Sequence, residues 1–154
     1  MKALLLPARH LMWIHRIAHA LYGNKLTRPI SYFIYLVARV IYASDVHPGA
    51  RIGKGSYFVH HFNIAIGPTV VIGENCAIFN GVTLGDNGKQ SHACPVVGDN
   101  VFLSTGVKVI GPITIGSNSI VGANSVVLKD IPENSLAVGI PAVVKRTINR
   151  ADYY

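Results

Sequence analysis

Acidic side chains are scarce in this chain: Asp and Glu number 7 against 14 Lys and Arg, a formal net charge of +7. The shortage is uneven. Residues 1 to 54 hold eight of the basic side chains and a single acid, Asp45, while the remainder holds six of each sign. The basic excess therefore belongs to the N-terminal part, where a phosphate-bearing or membrane-surface partner would be met. No Arg-rich recognition helix or aromatic stacking platform accompanies it, which argues against nucleic acid. Cysteine is nearly absent, 2 in all. That leaves no disulfide framework and makes a reducing cytoplasm the expected setting. A long apolar run is missing too. The most apolar stretch, PISYFIYLVARVIYA from Pro29 to Ala43, has about fifteen residues where a bilayer span needs roughly 17 to 25. It also lies too deep, with no small-residue cleavage site, for a signal peptide.

What is plentiful is apolar surface. The chain is 50% hydrophobic and only 14% charged, which predicts burial against partner subunits or at the inner face of the cell membrane. From Val46 onward an aliphatic residue returns every six positions, usually before Gly: Val46, Ile52, Phe58, then Ile66, Ile72, Ile78 and Leu84, and after an interruption Val97, Leu103, Val109, Ile115, Val121 and Val127. A period of six fits neither a 3.6-residue helix nor a long alternating strand. It fits short strands and tight turns, three per coil, so that aliphatic residues of successive coils stack. The fifth hexad position is small or slender, as in Ala50, Ser56, Val70, Cys76, Val82, Val107, Ser119 and Ser125, and is also predicted to point inward. This is the pattern of a parallel β-helix of roughly four coils, by counting hexads at three per coil. The expected organisation is an N-terminal helical extension over 1–44 and the solenoid with a C-terminal tail over 45–154.

Within the extension, Leu5 to Tyr22 reads as a helix ended by Gly23, and Pro29 to Ala43 as a second one opened by Thr27. Two breaks interrupt the repeat. The phase slips by two residues after His60 and His61, and a longer excursion from Asp86 to Val96 reads as an exposed loop. Of the 7 histidines, His15 and His19 read as a polar helix face and His47 as a cap. His60 and His61 have no packing rationale, so one of them is the expected general base. Cys76 reads as core packing, and Cys94 as a structural thiol rather than an acyl-enzyme nucleophile.

The stretch DVHPGARIGKGSYFVHHFN from Asp45, with GVTLG from Gly81, GIPA from Gly139 and HRIAHALY from His15, resembles the serine acetyltransferase branch of the hexapeptide-repeat acyltransferases. The resemblance covers nearly the whole chain and implies a left-handed parallel β-helix, an all-β fold carrying an α-helical extension. It implies a homotrimer with acetyl-CoA held between neighbouring subunits and no metal. In that family the Asp opening the D-x-H-P run supports a His fifteen residues later as general base; the matching residues are Asp45 and His60. Matching positions put Gly85, Asp86 and Asn87 near the thioester end, with a backbone N–H near Gly85 as oxyanion donor. Thr105 and Ala123 fall along the pantetheine arm. Lys129 is assigned to the phosphates from charge alone, as are Lys145 and Arg146.

The departures point away from serine. Val59 stands where serine acetyltransferases keep an Asp, and Ala93, Cys94 and Pro95 replace an Arg-His-Pro run whose Arg holds the serine carboxylate. The pair His60 and His61, taken with that loop, resembles exopolysaccharide acetyltransferases of the colanic acid type. The expected acceptor is therefore a sugar hydroxyl of a polysaccharide precursor, with His61 and His92 in acceptor-binding or secondary roles. Serine is the second reading. A γ-type zinc carbonic anhydrase, which needs three His from adjacent subunits, and an inert scaffold are the readings from other classes.

Overall fold

The computed structural model describes residues 7–88 and 93–149. Two helices, α1 (Pro7–Tyr22) and α2 (Arg28–Tyr42), precede a run of very short strands. A first sheet stacks β1 (Asp45–Val46), β4 (Ala65–Ile66), β7 (Thr83–Gly85), β10 (Lys108–Ile110) and β13 (Val126–Val127) in that order. A second stacks β2 (Arg51–Ile52), β5 (Val71–Ile72), β8 (Val96–Val97) and β11 (Thr114–Ile115). The third stacks β3 (Tyr57–Phe58), β6 (Ala77–Ile78), β9 (Phe102–Leu103), β12 (Ile120–Val121) and β14 (Ser135–Gly139), and closes with β15 (Ala142–Thr147). Every pairing is parallel except β14 with β15. The chain thus visits three sheets in turn, as a parallel β-helix.

The hexad explains the columns. Val46, Ile66, Leu84, Val109 and Val127 line the first sheet's interior and are all buried. Each such side chain contributes about 1.5–3 kcal/mol when removed from water. Their slender partners stack beside them: Ser56, Cys76, Val101, Ser119 and Ser135 form one buried column. Within it the Ser56 hydroxyl accepts from Cys76 N at 2.9 Å and Ser119 Oγ from Ser135 N at 3.2 Å. Cys76 is thereby a core residue, its thiol pKa raised by burial.

The turns have their own logic. Asn75, Asn100, Asn118 and Asn134 all adopt positive φ, between 54° and 60°, which Asn tolerates better than most side chains. Asn100 Nδ2 donates to Asn118 Oδ1 and Asn118 Nδ2 to Asn134 Oδ1, each at 3.1 Å. The left-handed corners are thus tied to one another along the edge between the second and third sheets.

The solenoid is longer than four coils. A fifth begins at β13, passes through an isolated bridge between Ile115 and Ile131, and ends in β14. The hexad fades there because Ile131 follows Val127 by four positions, where Ile115 follows Val109 by six. Strand β15 folds back across β14, giving the last coil an antiparallel cover.

The helical part differs from expectation in two places. Thr27 stands at the N-cap of α2 but makes no side-chain cap; its hydroxyl donates instead to Leu21 O at 2.6 Å, closing the end of α1. His15 is not on a polar face: it is 4% exposed, held between α1, α2 and the first coil. Ser31 Oγ donates to Ala18 O at 2.6 Å across the helix pair, and Arg16 reaches Gly53 O at 3.2 Å. The outer side of α2 presents Ile30, Phe33, Leu36, Val40 and Ile41 to solvent. No helix of the described residues is long and apolar enough to cross a membrane.

Candidate active site

His60 and His61 follow β3 at the corner where the chain turns from the third sheet into the first. Eight residues rather than six separate Phe58 from Ile66, and the surplus pushes this corner outward. His60 is exposed and His61 half-buried. The His60 ring stands edge-on to Phe79 with centroids 6.0 Å apart, and His61 does the same to Tyr42 at 5.8 Å. Both imidazoles line a cavity of ≈ 580 Å³ whose other described walls are Pro7, Ala8 and Arg9 from α1 and Tyr57, Phe58 and Val59 from the solenoid. An apolar recess with a few convergent polar groups is the usual form of a small-molecule site.

Asp45 opens β1 on the same edge, one coil earlier, and its N–H donates to Ile64 O at 2.7 Å. Its carboxylate is engaged on the helical side. Tyr35 donates its hydroxyl to Oδ1, and Arg39 Nη2 lies 3.3 Å from Oδ2. Burial first, then the bond to Asp45, pushes the Tyr35 pKa up to about 12, so the phenol stays protonated and stays a donor. Among the described residues no hydrogen bond joins Asp45 to His60. His47 belongs to a different cluster, edge-on to Tyr22 at 5.5 Å, with its Nδ1 accepting from Gly49 N at 2.9 Å. Burial lowers its pKa.

The same edge continues up the solenoid. Gly81 N donates to Phe62 O, Gly106 N to Asn80 O and Asn124 N to Thr105 O. Thr105 and Ala123 therefore lie in line above the histidine corner, both exposed, with Thr105 Oγ1 donating to Asn80 Oδ1 at 3.2 Å. Gly85, Asp86 and Asn87 stand elsewhere, at the opposite margin of the first sheet. Gly85 O accepts from Gly111 N at 2.8 Å, and Asp86 Oδ1 accepts from Gly88 N at 2.8 Å. Lys129 is exposed just after β13 on that second edge. Within one chain, then, Thr105 and Ala123 share an edge with His60, whereas Gly85, Asp86, Asn87 and Lys129 do not.

In the intervening loop, Lys89 to His92 fall outside the described residues, His92 with them. Cys94 is buried, and its Sγ lies 3.1 Å from where a Cβ on Gly67 would stand, a tight approach. Among the described residues no three His, Cys, Asp or Glu side chains are gathered to hold a metal. Sequence reasoning missed Arg9. It was counted as part of a basic cluster, and nothing in its spacing marked it as facing the histidine corner.

Comparison with known proteins adds the chemistry. Residues 94–129 match the family model described as bacterial transferase hexapeptide (six repeats). The serine acetyltransferase of Bacillus licheniformis is 45% identical, over 88% of this chain and 62% of that protein. That of Bacillus subtilis is 43% identical, over 93% and 70%. The chain thus spans about two thirds of the length of these relatives. Among solved structures, serine acetyltransferase from Brucella abortus in complex with coenzyme A superposes with a TM-score of 0.90 at 34% identity, covering 94% of this chain and 58% of that one. The soybean serine acetyltransferase apoenzyme gives 0.83 at 41%, covering 87% and 55%. These relatives overturn the expectation of a sugar acceptor and of a role in polysaccharide biosynthesis. Val59, the His60-His61 pair and the Ala93-Cys94-Pro95 run, which prompted it, occur in a chain with relatives of 43% and 45% identity named serine acetyltransferase. Such local features weigh less than likeness along most of the chain.

Proposed function

The chain belongs to the hexapeptide-repeat acyltransferase family, and from that premise we propose that it is an acetyl-CoA-dependent O-acetyltransferase acting on the hydroxyl of serine. The observation that carries this reading is the pair His60 and His61 facing an apolar cavity, in a chain that resembles serine acetyltransferases along most of its length.

Neutral His60 takes the hydroxyl proton as the serine oxygen attacks the thioester carbonyl carbon. The tetrahedral intermediate then collapses with cleavage of the C–S bond. The proton passes to the CoA sulfur, leaving O-acetylserine and free CoA. A backbone N–H near Gly85 steadies the oxyanion. Asp45 supports the imidazolium through its negative charge, with Tyr35 and Arg39 fixing the carboxylate. His61 and His92 keep acceptor-side roles in this reading. Asp86 and Asn87 serve the thioester end, Thr105 and Ala123 the pantetheine arm, and Lys129 the phosphates.

Because the His60 edge and the Asp86 loop stand at opposite margins of one sheet, a complete site is best assembled from the His60 edge of one subunit and the loop of its neighbour. We assign a homotrimer wound left-handed, with residues 1–44 as a helical extension and 45–154 as the acyltransferase domain. The exposed apolar side of α2 serves subunit contact or rests on an anionic lipid surface, which the acid-free extension suits. Liposome flotation with and without anionic lipid separates these two roles.

Incubating the purified chain with acetyl-CoA and L-serine tests the activity. The reading expects one free thiol released per O-acetylserine formed, and serine-independent or absent thiol release overturns it.

A further inference from the structure

A carboxylate-bearing acceptor needs a cationic partner, and the position that would supply one in the loop is Ala93. The remaining described loop residues, from Asp86 to Gly88 and at Cys94 and Pro95, bring no positive charge either. The cavity in front of His60 supplies it from another direction. Of its described lining residues, only Arg9 carries a permanent charge and none is an acid.

Arg9 projects from the first turn of α1 and is exposed. Among the described residues it makes no ion pair; the pair between Arg39 and Asp45 lies apart from it. A second cleft of ≈ 200 Å³ adjoins, lined by Arg9 and Arg16 together with Ser56 and Tyr57. Arg16 is already committed to Gly53 O at 3.2 Å. Arg9 is therefore the guanidinium left available beside the histidines. Its neighbours Pro7, Ala8, Phe58 and Val59 are apolar, and a charge pair formed against such walls is weakened less by water than one in the open.

We propose that Arg9 is the acceptor anchor: its guanidinium takes the acceptor's carboxylate, in the two-pronged fashion that Arg offers and Lys does not, and so holds the hydroxyl toward His60. Selectivity for a carboxylate-bearing acceptor then comes from the helical extension. The proposal rests on the serine reading given above.

Steady-state kinetics of the full chain, wild type against Arg9→Gln and Arg9→Lys, tests it with two acceptors, L-serine and ethanolamine, the latter lacking the carboxylate. Loss of a charge-assisted pair raises the KM for serine by roughly 10- to 100-fold in Arg9→Gln. The kcat and the KM for acetyl-CoA should stay within about twofold, as expected when binding common to ground and transition states is removed. Arg9→Lys recovers only part of the loss. Ethanolamine should be a poor acceptor whose kcat/KM is the same in all three proteins. An unchanged KM for serine in Arg9→Gln, with wild-type activity present, overturns the anchor and leaves the serine reading standing. Absence of transfer to serine by the wild type overturns both.

Discussion

Ser44 donates its hydroxyl hydrogen to His61 O at 2.7 Å while its oxygen accepts from Ile64 N at 3.1 Å. One buried side chain therefore ties the end of the helical extension to the corner that carries both imidazoles.

Ser44→Ala leaves that carbonyl and that N–H without their partner. The expected cost is about 1–3 kcal/mol of stability, read as a lowered Tm. The kcat should fall more than the KM for acetyl-CoA rises, because the histidine corner moves and Thr105 and Ala123 do not. An active variant with an unchanged melting curve would remove Ser44 from the account.

His15 sets a pH dependence of stability. Its ring is buried, and desolvation first, then the neighbouring charges of His19 and Arg16, lowers its pKa from 6.5 to about 4. Among the described residues its Nδ1 has no hydrogen-bond partner. The native state therefore resists a proton that the unfolded chain accepts below pH 6.5. Stability from this group is complete above that pH and is lost as pH falls toward 4, by at most about 3 kcal/mol. Urea unfolding of wild type and His15→Leu between pH 7.5 and 4.5 checks the sign: the wild type should weaken more steeply on acidification. Parallel slopes would show that His15 takes up its proton equally well in the folded chain.

The asparagine ladder makes a third expectation. Asn118→Ala puts a residue that tolerates positive φ less well than Asn into this turn and breaks two side-chain bonds, at a cost of about 1–3 kcal/mol. Asn118→Gly relieves the strain alone and should fall between alanine and wild type in thermal unfolding. Equal Tm values for the two variants would mean that the ladder bonds, not the turn conformation, matter.

Much of this molecule is legible from its hexads. A six-residue period leaves little alternative to stacked three-strand coils, so the inward positions, Cys76 included, follow from spacing alone. The fifth coil escaped because Ile131 follows Val127 by four positions and not six, although it still points inward. The buried state of His15 escaped because polarity was read as exposure, whereas the face it shares with Leu11 and Ala18 packs on the first coil. The histidine corner was legible as a phase slip; its partners were not. Asp45 and His60 keep their spacing, yet the Asp45 carboxylate turns to Tyr35 and Arg39, contacts that only the docking of α2 creates. Arg9 lies about fifty residues from His60 in sequence, and no local pattern reports a cavity closed by two distant segments. The acceptor was misjudged because the missing Arg at Ala93 was weighed above the likeness of the rest of the chain.

The central claim is that His60 is the general base, and turnover of His60→Ala beside His61→Ala, at saturating acetyl-CoA and serine, tests it most directly. The account predicts that His60→Ala loses about 10²- to 10⁴-fold in kcat with acetyl-CoA binding preserved, and that His61→Ala retains most of its turnover. Full turnover in His60→Ala, with the loss appearing in His61→Ala, would contradict it.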